Sequence, residues 1–108
     1  MFDSLAAGQI IDEFHPETIA DGLRGKVGPL TFAMIREHVE RVVTVDDAAI
    51  IAAMRQIWRI MKIVVEPSST TVLASVFEHR EAFRDRKVGL ILSGGNVDLD
   101  HLPWSPDS

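Results

Sequence analysis

Residues 93–96, Ser93-Gly94-Gly95-Asn96, follow directly on the apolar run Val88-Gly89-Leu90-Ile91-Leu92. Ligands of open α/β sheets bind beyond the carboxyl ends of the strands, so a polar, glycine-rich turn at that position has the makings of a ligand loop. Two glycines permit close backbone approach, while Ser93 and Asn96 offer hydrogen bonds; a plain polar turn accounts for the same residues. Glu66-Pro67-Ser68-Ser69 puts a carboxylate beside a fresh helix N-terminus, where free backbone donors favour an anion, although simple helix punctuation reads equally well. Asp21, in the small-residue stretch Ala20-Asp21-Gly22, either orients a ligand or bonds its own turn. His15, His38, His79 and His101 lie far apart without i, i+4 pairing, so they are expected at the surface and no metal site is expected. Ser93 has no histidine at a recognisable spacing, which sets aside a serine hydrolase, and no catalytic residue is assigned. Met54, Trp58, Met61 and Phe77 recur at helical spacing and are expected in the core.

The elements that must position these residues are few. At 108 residues the chain holds at most one compact unit, and it is read as a single partial domain. Apolar residues at 46% and charged residues at 25% match a folded globular chain. A net charge of −5 without a basic cluster has the wrong sign for nucleic acid. With no cysteine there is no disulfide or thiolate site. The opening MFDSLAAGQI has no basic stretch before an apolar one and no run approaches a membrane span, so neither signal peptide nor membrane segment is expected and the cytoplasm is the default.

A short helix is expected between Phe2 and Gly8, then an ordered loop over residues 9–28. Pro29 opens a helix to about Glu40, with Leu30, Met34, Ile35, Val39 and Val42 on its apolar side. Arg41 to Val45 has the composition of a strand. Asp46 or Asp47 caps a mostly buried helix over residues 47–64, with Arg55, Arg59 and Lys62 as its polar stripe. Ser68 or Ser69 caps another to about Glu78, a charged turn leads to the buried strand 88–92, and the turn-rich tail is expected to fray at its end. This order implies an α/β fold with a partial, mainly parallel sheet and packed helices. Two strands cannot cover the helices, so self-association or a larger partner is expected.

Taken in order, HPETIADGL, RIMKIVVEPS and KVGLILSGGNVDLDHL resemble the C-terminal third of the serine racemase and threonine dehydratase family, pyridoxal-phosphate enzymes of fold type II. The similarity spans residues 2–102 in the family's own order. It implies the C-terminal part of the large domain of that fold, without the N-terminal two-thirds. By the resemblance, Ser93 bonds the pyridine nitrogen of pyridoxal phosphate, Gly94 and Gly95 let the turn approach the ring, Glu66 lies behind the cofactor, and the Asp21 loop lies beside it. Lys62 and Asn96 fall on positions linked in the racemase branch to a nucleotide effector at a subunit interface.

The departures carry equal weight. Where the family has a small pair after Glu-Pro, this chain has Ser69-Thr70-Thr71, which is bulkier. The family's Ser-Phe-Lys motif, which carries the Schiff-base lysine, and its mid-chain glycine-rich phosphate loop are both absent from these 108 residues, and the loop that binds a divalent metal would end just before Met1. The resemblance therefore implies a piece of a dehydratase, ammonia-lyase or racemase that binds no cofactor and is inactive alone, joined by its missing N-terminal part or by copies of itself. The other reading is a stand-alone truncated module for binding or assembly that self-associates.

Overall fold

The computed structural model describes residues 1–8, 19–20, 25 and 27–106. Most of the expected loop over residues 9–28, with Asp21 and His15, lies outside them. Two compact units divide the chain, Met1–Glu17 with Arg24–Thr44 and Thr18–Leu23 with Val45–Ser108.

In the first unit, α1 (Phe2–Ala7) stops at Gly8, whose φ of +73° suits a residue without a Cβ. The Gly8 carbonyl accepts a hydrogen bond from Arg36 Nη1 at 3.2 Å. Helix α2 (Pro29–His38) begins with Pro29 in the first turn, where a missing N–H costs nothing and φ is already helical. It buries Phe32, whereas Leu30 and Met34, placed on the apolar side by periodicity, are exposed at 79% and 52%.

The second unit holds α3 (Asp47–Met61), α4 (Pro67–Glu78) and α5 (Arg80–Phe83). Asp46 is the N-cap of α3, its Oδ1 accepting from the Ala49 N–H at 2.8 Å. Replacing it with alanine strands that donor, and Asp46→Ala is expected to cost about 1 kcal/mol in urea unfolding, with Asp46→Asn recovering most of it.

Helix α3 ends at Met61, three residues before the expected Val64, because Lys62 turns into the left-handed region at φ +59°. Ile63, Val64 and Val65 are β-branched and poor helix formers, and the Trp58 indole N–H donates to the Val65 carbonyl at 3.0 Å, holding the chain back against its own helix. Helix α4 likewise starts earlier than expected. Neither Ser68 nor Ser69 caps it; Glu66 occupies the N-cap in extended geometry, since Pro67 fits the first helical position better than any serine.

Helix α3 packs on α4 through small residues. Ala20, Ile50, Ala53 and Ala74 form one buried cluster, and Met54, Ile57 and Val65 a second, covered by Trp58, Leu73, Leu92, Val97 and Trp104. Of the four side chains expected in the core, Met54 is fully buried and Trp58 half-buried, but Met61 and Phe77 are exposed at 56% and 39%. Each lies near the C-terminus of its helix, where apolar periodicity outruns the packing partner.

In the tail, Trp104 packs edge-on against Trp58 with ring centroids 5.3 Å apart. Before it, Asp98 accepts from the Asp100 N–H and pairs with His101 Nδ1 at 2.8 Å. The His101 bond, then the Asp100 bond, hold the Asp98 carboxyl below its ordinary pKa. Residues 41–45 and 88–92 carry no strand ladder among the described residues, which therefore give no support to the expected parallel sheet. A strand exists only with a partner beside it, and local composition does not supply one. No described helix is long and apolar enough to cross a membrane.

Candidate functional site

The two strongest motifs of the sequence form a single feature. As the chain leaves α3 and runs through Val64 and Val65 to Glu66, it meets the turn at residues 93–96. The Glu66 N–H donates to the Gly94 carbonyl at 3.1 Å, and Glu66 Oε2 accepts the Asn96 N–H at 3.0 Å. One residue therefore grips the turn by its backbone and its carboxylate together. A charge-assisted acceptor of this kind binds a backbone donor roughly twice as strongly as a neutral one.

Gly94 is required by that grip, and Gly95 lies close to the segment that leads to Glu66. Gly94 has φ +98°, and a Cβ there would lie 2.5 Å from Glu66 Oε1 and 2.7 Å from Cδ. A Cβ on Gly95 would lie 3.1 Å from the Val64 carbonyl oxygen. The structure thus gives the glycines an internal role, close approach to residues 64–66. Glu66 is half-buried, while the whole turn from Ser93 to Asn96 is exposed. The Ser93 hydroxyl makes no hydrogen bond among the described residues and stands open to an incoming group.

Lys62 caps α3 in the left-handed conformation and its exposed ammonium has no ion pair among the described residues. No contact joins it to Asn96, whose backbone N–H is held by Glu66. Among the described residues no group of three or more His, Asp or Glu side chains could hold a metal ion.

The bulk of Ser69-Thr70-Thr71 is absorbed between helices. Thr70 is fully buried, with its hydroxyl on the Pro67 carbonyl at 2.9 Å and the Ile50 carbonyl at 3.3 Å, and Ser69 is 5% exposed. Sequence reasoning missed Thr70 as an α3–α4 contact, although threonine in a first helical turn commonly bonds back to the i−3 carbonyl. It also missed Asp47, whose Oδ2 accepts the Ile19 N–H at 3.1 Å across 28 residues and ties the start of the Ala20 segment to α3.

A family profile described as pyridoxal-phosphate-dependent enzyme matches residues 1–94. The β-hydroxyaspartate dehydratase of Paracoccus denitrificans (strain Pd 1222) is 45% identical over 104 residues, covering 96% of this chain and 33% of the dehydratase. Among solved structures, maize serine racemase aligns with a TM-score of 0.83 at 45% identity, over 91% of this chain and 31% of the racemase. The serine racemase of Dictyostelium discoideum gives a TM-score of 0.80 at 45% identity, over 91% of this chain and 32% of that racemase.

The chain belongs to the pyridoxal-phosphate-dependent enzyme family, and its structural neighbours are fold type II members of it. Its homologues include dehydratases, ammonia-lyases and racemases, and it spans about a third of the length of the relatives it matches.

Proposed function

We propose that the chain is the C-terminal third of a pyridoxal-phosphate-dependent amino-acid dehydratase, ammonia-lyase or racemase of the serine and threonine type, and that it supplies the wall facing the pyridine nitrogen. The observation that carries this is the turn at residues 93–96, fixed by Glu66 so that an unpartnered Ser93 hydroxyl faces outward. A hydroxyl donates or accepts, which suits an uncharged ring nitrogen, and nothing within the described chain competes for it. When bound, the cofactor supplies an electron sink for the charge left by removal of an α-proton.

With the cofactor bound, Ser93 would hold the ring nitrogen by a neutral hydrogen bond, and a hydroxyl there, unlike a carboxylate, would not favour a proton on that nitrogen, which would moderate the sink. Gly94 and Gly95 keep the turn low enough for the ring to lie against it. Glu66 acts one layer back, holding the turn rigid, while Lys62 and Asn96 are assigned the rim where a nucleotide effector would bind. No residue of this chain takes the covalent anchor or the catalytic base: Lys26, Lys62 and Lys87, its three lysines, stand in no Ser-Phe-Lys motif. Alone the chain is inactive in this reading.

The test is a chimera in which this chain replaces the matching third of the Paracoccus dehydratase. Ser93→Ala is expected to lower elimination about tenfold or more, the worth of one buried hydrogen bond, while bound-cofactor absorbance persists. Ser93→Asp, which favours a protonated nitrogen, is expected to shift that absorbance and raise racemisation relative to elimination. Unchanged spectra and rates in both variants would remove Ser93 from the ring nitrogen.

A further inference from the structure

Helix α3 turns Ile50, Ala53, Met54 and Ile57 inward, and its opposite face carries Ala48, Ile51, Ala52, Arg55, Gln56 and Arg59 along one shallow groove. Arg55 and Arg59 are exposed and make no ion pair or hydrogen bond among the described residues. Their neighbours on the helix surface explain why. The positions three and four residues from Arg55 are Ile51, Ala52, Trp58 and Arg59, and those from Arg59 are Arg55, Gln56, Lys62 and Ile63. No carboxylate stands among them. Two of the pairs, Arg55 with Arg59 and Arg59 with Lys62, set like charges at helical spacing, which weakens a helix. The chain does not lack acids: it has sixteen Asp and Glu against eleven Lys and Arg, yet residues 48–65 hold three cations and no carboxylate. Elsewhere opposite charges meet, Arg84 with Glu81 at 3.5 Å and His101 with Asp98 at 2.8 Å, both three residues apart. The helix dipole favours a cation in the last turn, which accounts for Arg59, but the effect fades within that turn and does not reach Arg55.

We propose that Arg55 and Arg59, with Gln56 beside them, form a binding site for the phosphate group of a small molecule whose apolar part lies on Ala48, Ile51 and Ala52. Four residues of helix separate the two arginines by about 6 Å along the axis, so both flexible side chains reach one oxyanion between them. A guanidinium presents paired N–H donors that match two oxygens of a phosphate, and the Gln56 amide adds a further donor. Charge selects phosphate over carboxylate. A phosphate ester carries about −1.5 to −2 at neutral pH and offsets both arginines, whereas one carboxylate leaves half of the repulsion in place. The apolar residues of the groove lie within two turns of Arg55 on its N-terminal side, where the body of the same ligand would rest. Lys62 adds positive potential from beyond the helix but leaves the helical path at φ +59°, so the site is complete without it.

The test titrates the 108-residue chain at low salt with phenyl phosphate, inorganic phosphate and benzoate, following the side-chain Nε–H resonances of Arg55 and Arg59 by NMR. Phenyl phosphate is expected to move both resonances together, to bind more tightly than inorganic phosphate and several-fold more tightly than benzoate, and to weaken as salt rises. Arg55→Gln and Arg59→Gln are each expected to lower its affinity at least about tenfold, the worth of a charge-assisted hydrogen bond. Without ligand both variants should keep their helical circular dichroism and a melting midpoint no lower than that of the unaltered chain, because glutamine forms helix as well as arginine and a like-charge contact is gone. Arg84→Gln removes an exposed arginine that already has a partner in Glu81, and it should leave binding unchanged. The proposal is overturned if phenyl phosphate moves neither resonance, if benzoate binds equally well, or if either Arg55→Gln or Arg59→Gln binds like the unaltered chain. Binding abolished by Lys62→Gln but not by the two arginine variants would place the phosphate at the rim assigned to Lys62 and Asn96 and would overturn this site as well.

Discussion

Met54→Ala lowers the unfolding free energy by about 3 kcal/mol, within the range of about 2–5 kcal/mol for emptying a fully buried methionine site. Met54 has no exposure and sits between Ile57 and Val65, under Trp58, Leu73, Leu92, Val97 and Trp104. That group draws on α3, α4, the segment after α3, the segment before the turn and the tail, so the cavity cannot close by shifting one element. In a chain of this size such a loss lowers the melting midpoint by roughly 10–20 °C, read by circular dichroism. Met61→Ala, on the same helix at 56% exposure, is expected to stay within about 0.5 kcal/mol. Met54→Leu, nearly matched in volume, should cost less than about 1.5 kcal/mol. Equal losses at positions 54 and 61 would mean that the second cluster is not the core of this unit.

The contrast between those two methionines shows what was legible in the sequence. The starts of α2 and α3 were, because they are local: Pro29 fixes its own φ, and Asp46 reaches a donor only three residues away. The end of α3 and the burial of individual side chains were not. Spacing puts Met54 and Met61 on one stripe, and only the packing of α4 and the tail separates a buried residue from an exposed one. The end of α3 depends on the Trp58 bond to Val65, seven residues on, which no propensity scale contains. The parallel sheet rests on composition alone, and a strand needs a neighbour that the described residues do not provide. At the site, Glu66 and the Ser93-Gly94-Gly95-Asn96 turn each stand out by residue type. Their union rests on a contact spanning 30 residues, and the internal use of both glycines becomes visible only with the Glu66 carboxylate in place.

Gly94→Ala tests that union most directly and is expected to cost about 2–4 kcal/mol. Two causes add. A non-glycine residue at φ +98° bears about 1–3 kcal/mol of backbone strain, and its Cβ would meet Glu66 Oε1 at 2.5 Å. The carboxylate ends a flexible side chain and can swing aside, but only by releasing the Asn96 N–H, a charge-assisted bond worth about 1.5–3 kcal/mol when made. The partial exposure of Glu66 brings the second cost toward the low end. A double-mutant cycle separates them: with Glu66→Ala already in place the clash is gone, and Gly94→Ala should then cost only its backbone strain, about 1 kcal/mol or more below its cost in the unaltered chain. Gly89→Ala is the control, since a Cβ there meets nothing within 4 Å. If Gly94→Ala cost the same with and without the Glu66 carboxylate, that carboxylate would not hold the turn. The position of Ser93 would then depend on the backbone bond from the Glu66 N–H to the Gly94 carbonyl, which Glu66→Ala leaves intact.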